Sequence, residues 1–99
     1  MARTGKMSQH DRTVVAIGNK LRSQGWNVKA SRVPFFKEPN TINGHVPDID
    51  ARRGRQRHIV EVETSHSMRT DVAQRRAFRS HAAKRPNTRY KTVVVKKRR

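Results

Sequence analysis

The chain has 99 residues, no cysteine, and 24 Lys and Arg residues against seven Asp and Glu residues, so its formal net charge is +17. This length predicts one small domain, and the lack of cysteine excludes disulfides, zinc–thiolate sites and cysteine nucleophiles. Such an excess of positive charge favours nucleic acid as the partner, since the sequence has no basic amphipathic helix suited to a membrane surface. No apolar run is long enough to span a bilayer, so we expect a cytoplasmic protein that does not bind membranes.

The first predicted element is a helix over residues 9–24. It is preceded by Ser8-Gln9-His10-Asp11, which has the S-x-x-D form of a capping box. Gly25 stands where a helix C-terminal cap belongs. Apolar or small residues recur between these ends with the spacing of one buried helical face, at Val14, Ile17, Gly18 and Leu21.

Three strands are predicted after this helix. The first covers residues 27–33, where apolar and polar residues alternate loosely. Residues 35–45 contain proline, asparagine and glycine, which are typical of a loop. Residues 48–53 and 58–64 alternate between polar and apolar side chains and are separated by a predicted turn at 54–57. These two segments are therefore predicted to form a hairpin.

A second helix and a fourth strand complete the predicted fold. Residues 67–84 contain no proline or glycine and are rich in Ala, Arg and Gln, which favours a helix. Arg75 and Arg79 interrupt its apolar stripe, so half of this helix is expected to face solvent or a ligand. Residues 92–96 include three consecutive valines and are predicted to form a buried strand. The fold class is therefore α/β.

The predicted hairpin concentrates the few acidic residues of the chain. Four of the seven lie in it, at Asp48, Asp50, Glu61 and Glu63. Burial of the apolar residues between them would set the strand register and direct all four carboxylates to one face. Two carboxylates about 4 Å apart repel by on the order of 4 kcal/mol at an effective dielectric near 20. Either a divalent cation or a network of cross-strand arginine salt bridges would offset this repulsion.

The hairpin also resembles a known family. Pro47-Asp48, followed by a hairpin and Glu61-Val62-Glu63, is similar to the PD-(D/E)XK nuclease superfamily, and in particular to small archaeal Holliday-junction resolvases and RecB-like nucleases. The resemblance implies a restriction-endonuclease-like core of order αβββαβ, in which helices flank a mixed sheet. It further implies that Asp48 and Glu61 bind Mg²⁺ or Mn²⁺, with the carbonyl of Val62 as another ligand.

The same resemblance suggests further site residues. The superfamily usually has lysine where this chain has Glu63, so Glu63 is expected to bind a second metal ion or to act as general base, with Lys29 or Lys91 replacing the lysine. Gln74 is similar to the Gln of a Q-x-x-x-Y element in RecB-like members, although Phe78 replaces the tyrosine. The catalytic residues implied by the resemblance are Asp48, Glu61, Glu63 and Gln74.

Several other residues have two candidate roles. His10 or Asp11 is a candidate for an acid that resolvases carry on the first helix, and helix capping is the alternative role of Asp11. Trp26, Phe35 and Phe36 are candidates for the core or for stacking on bases. The basic residues predicted to contact phosphate lie on and after the second helix, at Arg75, Arg76, Arg79, Lys84 and Arg85.

These observations together predict a Mg²⁺-dependent endodeoxyribonuclease that cleaves junction, flap or duplex DNA. We expect a single nuclease-like domain over residues 8–96, with a disordered basic arm at 1–7 and a basic tail at 97–99. A homodimer is expected, because it would bury apolar surface and present two sites to two strands. No small-molecule cofactor is expected. The alternatives are a non-catalytic nucleic-acid-binding protein with the same fold and a ribosomal or RNA-binding protein.

Overall fold

The computed structural model describes residues 7–95, so the predicted tail and nearly all of the predicted basic arm lie outside the described residues. The described chain is an α/β fold with a four-stranded mixed sheet and three helices. Within residues 7–95, no helix has the length and apolar character needed to cross a membrane. The elements in chain order are α1 (Gln9–Ser23), β1 (Asn27–Ala30), β2 (Ile49–Arg53), β3 (Gln56–Glu63), α2 (Ser65–Thr70), α3 (Val72–Ala83) and β4 (Thr88–Val94).

Helix α1 begins and ends close to its predicted limits. The Ser8 side chain is the N-cap and accepts a hydrogen bond from the Asp11 N–H at 3.0 Å. Gly25 follows the helix with a φ of +90°, a conformation that glycine adopts without steric cost. Gly18 faces the core, and a Cβ built on it would lie 2.8 Å from Cζ of Phe36. The missing side chain therefore leaves room for the Phe36 ring against α1.

The predicted hairpin is confirmed, and it lies at the centre of the sheet. β1, β2 and β3 pair antiparallel in succession, and β4 pairs parallel to β3, so the strand order is β1-β2-β3-β4. Ile49 lies opposite Val60, and Asp50 lies opposite Ile59. Cross-strand partners share a face of the sheet, so Ile49, Ala51, Val60 and Val62 lie on one face as predicted, whereas the acids of the strands share the opposite face with Ile59.

Helices cover both faces of the sheet. α1 packs on one face, in a core that includes Val14, Leu21, Val28, Ala30, Ile49, Ala51, Val60 and Val62. On the other face, Phe78 of α3 packs against Ile42, Ile59 and Tyr90. Because side chains alternate along β3, the α3 face also receives Glu61 and Glu63. Both glutamates are therefore buried beneath α2 and α3 and are not exposed to solvent.

The second predicted helix is divided into two helices at Asp71. α2 begins with a capping box formed by Thr64 and Ser67, and Asp71 ends α2 with φ −100° and ψ 34° before α3 starts. The Arg75 guanidinium donates to the carbonyl oxygens of Ser67 at 3.3 Å and Met68 at 2.7 Å. The guanidinium thereby donates hydrogen bonds to carbonyl groups at the end of α2, where helical backbone N–H donors are no longer present.

The two outer strands differ from their predicted limits. β1 ends at Ala30, because the chain turns at Arg32, whose φ is 60°. β4 starts at Thr88 and not at Thr92, and the expectation that it is buried is wrong, since Val94 is 44% exposed. β4 pairs only with β3 and forms an edge of the sheet within residues 7–95, which explains its partial exposure.

Candidate functional site

Asp48 is the acidic residue of the hairpin that lines an open cleft between α1, α3 and the loop before β2. The cleft has a volume of about 660 Å³. Its walls include His10 from the first turn of α1, Glu38 and His45 from the loop, Asp48 next to β2, and Gln74 from α3. Segments distant in the sequence therefore contribute polar side chains to one cavity.

Four predicted site residues are joined by hydrogen bonds next to this cleft. The Asp48 N–H donates to Oε2 of Glu61 at 2.7 Å, and the Val62 N–H donates to Oδ2 of Asp48 at 2.8 Å. The Gln74 side chain donates to Oε1 of Glu61 at 2.8 Å. We call these four residues the carboxylate network. Their proximity follows from the strand register together with the position of α3 over β3.

Glu61 is the most deeply buried acid of the carboxylate network, at 1% exposure. Burial and the negative charge of Asp48 raise the pKa of Glu61 to about 8, although the hydrogen bonds from the Asp48 N–H and Gln74 oppose the shift. Without a metal ion, Glu61 is therefore largely protonated at neutral pH. A cation close to this carboxyl group would favour its charged form.

His10 adds a positive charge to the other side of Asp48. Its Nε2 lies 3.3 Å from Oδ2 of Asp48, and its Nδ1 lies 2.9 Å from Oδ1 of Asp11. The hydrogen bond to Asp48 is the main cause that raises the pKa of His10 to about 9, against the opposing effect of burial. His10 is therefore a cation at neutral pH. Asp11 lies in the first turn of α1, where its N–H donates to the Ser8 side chain and its carboxylate contacts this histidine.

Glu63 occupies a separate environment under α2 and α3. It is 1% exposed, and its Oε2 is buried without a hydrogen-bond partner among residues 7–95. The nearest cation is Arg75, whose Nη1 lies 3.9 Å from that oxygen. Burial raises the pKa of Glu63. Glu63 is therefore an acid whose charge is only weakly compensated among residues 7–95.

The fourth acid, Asp50, forms a salt bridge. Arg57 donates from Nε to Oδ1 of Asp50 at 3.0 Å and from Nη2 to Oδ2 at 2.7 Å. Nη1 of the same arginine lies 3.0 Å from Nε2 of His81. The arginine alternative considered from the sequence therefore applies to Asp50. The other three acids of the hairpin are not neutralised in this way.

The strand register distinguishes the two lysines considered as replacements for the usual lysine. Lys29 lies opposite Asp50 and therefore shares the face that carries the acids. Lys91 lies opposite Val60 in β3 and therefore points to the α1 face. Lys29 is thus the only one of these two candidates on the acidic face.

The donor atoms next to the cleft suit a hard divalent cation held by two carboxylates. No group of three or more His, Cys, Asp or Glu side chains in the described part of the chain is arranged to hold a metal ion. Mg²⁺, however, is usually bound by one or two carboxylates, with water and phosphate as the remaining ligands. Each oxygen of Glu61 that accepts one hydrogen bond keeps a second acceptor position. Asp48 and Glu61 therefore fit this type of site.

Four of the five residues predicted to contact phosphate are exposed, and these are Arg76, Arg79, Lys84 and Arg85. The fifth, Arg75, differs from the prediction. It is 9% exposed, and its guanidinium bonds to the carbonyl groups at the end of α2. Arg75 therefore does not contribute to the exposed basic surface, because it lies on the buried face of α3 together with Phe78 and Ala82.

Comparisons with known proteins return no relative of this chain. No family model matches the sequence, no curated protein is significantly similar to it, and no solved structure matches it. The function is therefore inferred from the geometry of the cleft and from the sequence pattern.

Proposed function

We propose that this protein is a metal-dependent DNA endonuclease with a restriction-endonuclease-like core, which hydrolyses phosphodiester bonds. The single observation that carries the proposal is that Oε2 of buried Glu61 accepts from the N–H of Asp48 at 2.7 Å, which places Glu61 next to an acid that lines an open cleft. An antiparallel meander followed by a helical segment and a parallel strand supports the proposed order αβββαβ, with α2 and α3 in place of one helix.

Asp48 and Glu61 would hold a Mg²⁺ or Mn²⁺ ion, with the carbonyl of Val62 as a further ligand. Such an ion lowers the pKa of a bound water and stabilises the charge that develops on phosphorus. Because Glu61 is protonated at neutral pH in the metal-free protein, metal binding is expected to release a proton. Gln74 orients the Glu61 carboxylate through its hydrogen bond to Oε1.

The remaining polar groups have roles that follow from their charges. His10 is a cation next to Asp48 and is suited to contact a phosphate oxygen or to protonate the leaving oxygen. Glu63 is proposed as general base or as a ligand for a second ion, with Lys29 on the same face of the sheet as the possible substitute for the usual lysine. Of these assignments, that of Glu63 depends most on the family resemblance.

The exposed basic residues of α3 and the segment after it would hold DNA through its phosphates without reading its sequence. Four such residues lie close together in the chain, at Arg76, Arg79, Lys84 and Arg85. We further propose that the protein acts as a homodimer, so that two clefts serve the two strands of a duplex or junction. We also propose that the protein is located in the cytoplasm.

Cleavage assays test this function. The parent chain should cleave at least one of branched, single-stranded or duplex DNA with Mg²⁺ or Mn²⁺, and it should be inactive in EDTA. Asp48→Asn and Glu61→Gln should each reduce cleavage by about 100-fold or more while DNA binding is kept, because each removes a metal ligand. Asp71→Asn, which removes a negative charge outside the carboxylate network, should remain active. Absence of metal-dependent cleavage by the parent on every substrate would reject the proposal.

A non-catalytic nucleic-acid-binding protein is the second candidate. Its support is that Asp48 is already compensated by His10, and that an acid, Glu63, stands at the usual lysine position. This candidate predicts tight binding of DNA or RNA by the parent, no cleavage, and no heat of Mn²⁺ binding in calorimetry. The nuclease predicts Mn²⁺ binding that disappears in the Asp48→Asn and Glu61→Gln variants.

A further inference from the structure

A second open cleft lies next to the turn between β2 and β3, away from the carboxylate network. Its volume is about 670 Å³. Its walls come from the end of α1, from the hairpin and from the segment that leads into β4, and they include Trp26, Arg53, His58 and Arg89. This cleft shares no lining residue with the cleft at Asp48. We call it the hairpin cleft.

The hairpin cleft has a positive and largely uncompensated lining. Three arginines and no acidic residue contribute to its walls. Arg57 is paired with Asp50. Arg53 and Arg89, by contrast, form no ion pair with an acidic side chain within residues 7–95. An anion in this cleft would therefore meet two arginines whose charges are free to bind it.

His58 is a half-buried residue of the cleft lining. Burial, followed by the positive charges of Lys91 and Arg89, lowers the pKa of His58. Its imidazole is therefore neutral at neutral pH and can donate or accept a hydrogen bond. Amide side chains of Gln56 and Asn87 also line the cleft and offer both donors and acceptors.

Trp26 and Arg53 form a cation–π pair in the same cleft. Cζ of Arg53 lies 4.6 Å from the centroid of the Trp26 ring. The guanidinium is held in place by the carbonyl oxygen of Gln24, to which Nη1 donates at 3.0 Å. The His58 ring lies 5.9 Å from the indole at an angle of 50°. Indole rings and guanidinium planes are the side-chain groups on which nucleic-acid bases commonly stack.

We propose that the hairpin cleft binds a nucleotide, either free or as one unit of a single-stranded segment of DNA, with its phosphate at Arg53 and Arg89 and its base on the Trp26–Arg53 pair. The combination of an unpaired positive charge, a flat aromatic and cationic surface, and amide groups suits a phosphate joined to a planar base. Neither the positive charge nor the aromatic surface alone requires a nucleotide. A phosphate site needs no indole, and an apolar site needs no arginines. The proposal does not depend on metal binding or cleavage at Asp48.

Tryptophan fluorescence tests the proposal directly, because Trp26 is the only tryptophan in the chain. The full chain in EDTA would be titrated with deoxyadenosine 5′-monophosphate, deoxyadenosine, inorganic phosphate and a short single-stranded oligodeoxyadenylate. We expect quenching by the oligonucleotide and tighter binding of it than of deoxyadenosine or phosphate alone. Quenching by the mononucleotide as well would identify free nucleotides as ligands, whereas quenching by the oligonucleotide alone would identify a DNA strand. Both results support the proposal.

Two variants with the same loss of charge distinguish binding in the hairpin cleft from nonspecific electrostatic attraction to the protein. Arg89→Ala should weaken binding by about tenfold, because it removes a charge-assisted hydrogen bond to phosphate. Arg69→Ala, an exposed arginine of α2 outside the cleft, should change affinity by less than about twofold. Equal loss in both variants would overturn the proposal, as would oligonucleotide binding seen by fluorescence anisotropy without any change in Trp26 emission. Asp48→Asn should leave the Trp26 fluorescence titration unchanged. The nucleotide-site proposal and the nuclease proposal can therefore be rejected independently of each other.

Discussion

Glu61 is the residue at which burial and charge conflict most directly. Burial and Asp48 raise its pKa to about 8 from 4.5, so the fold favours the neutral carboxyl group. A raised pKa in an acid contributes stability that is complete below pH 4.5 and is lost as the pH rises through about 8. The metal-free protein is therefore expected to become less stable across this range.

Replacing Glu61 by Gln removes the ionisation and keeps the shape of the side chain. We expect the free energy of unfolding of the variant to fall less than that of the parent between about pH 5 and about pH 8. At about pH 8, the free energy of unfolding of the variant should exceed that of the parent by about 1–3 kcal/mol. Urea unfolding in EDTA at the two pH values measures this difference. His10, whose raised pKa of about 9 also removes stability above pH 6.5, is present in both proteins. Parallel pH dependence in the two proteins would contradict the expectation.

Single residues of the site differ in how far the sequence predicted them. Asp48 and Glu61 were expected to be neighbours, because period-two alternation within a hairpin determines which side chains share a face. The pairing of His10 with Asp48 joins residues 38 positions apart, and no local pattern encodes such a contact. The sequence offered His10 only as one of two candidates on the first helix. The salt bridge between Asp50 and Arg57 is one of the cross-strand arginine contacts expected as the alternative to a metal ion, but the sequence did not indicate which acid would form it.

At the scale of elements, Arg75 connects α3 to the end of α2 and to buried Glu63. Arg75→Met keeps a long side chain but removes the bonds to the α2 carbonyl groups and leaves Glu63 without its nearest cation. We expect a loss of about 2–4 kcal/mol in the free energy of unfolding. Arg76→Met, at the adjacent exposed position, should change stability by less than about 0.5 kcal/mol. Urea unfolding measures both, and equal stability of the two variants would show that Arg75 makes no such connection.

The elements with strong local signals were predicted well. α1 has a cap, a periodic apolar face and a terminal glycine, and the hairpin has alternation on both sides of a turn. The division of the second helix was missed, because neither proline nor glycine marks Asp71 and the capping box uses Ser67 in place of an acid. The inward orientation of Arg75 was missed because arginine is rarely buried, although its spacing from Phe78 and Ala82 places it on the buried face of α3.

At the scale of the molecule, a net charge of +17 predicts strong dependence of DNA binding on salt. The logarithm of the binding constant should fall linearly with the logarithm of salt concentration. Neutralising the four exposed basic residues proposed to contact phosphate should reduce the slope by about 3 to 4, at about 0.9 per contact. That variant combines Arg76→Ala, Arg79→Ala, Lys84→Ala and Arg85→Ala.

Fluorescence anisotropy at several salt concentrations measures these slopes. A control variant with the same loss of charge replaces exposed residues outside both clefts and outside the proposed DNA surface, at Arg12, Lys20, Arg52 and Arg69. It should keep most of the parent slope, because net charge alone does not determine the number of phosphate contacts. Equal reduction in both variants would indicate that DNA binds without a preferred face.

The exposed edge of β4 has a consequence for how copies of this protein meet one another. An unpaired strand edge is a template on which other chains add strands and aggregate. Here the exposed positions of that edge include Arg89 and Lys91, so two copies brought together along β4 would oppose positive charges. This repulsion opposes pairing of copies along β4 at low salt and weakens as ions screen it. The purified protein should therefore be most prone to precipitate when its charges are screened, and protection of the strand edge depends on solution conditions as well as on the fold.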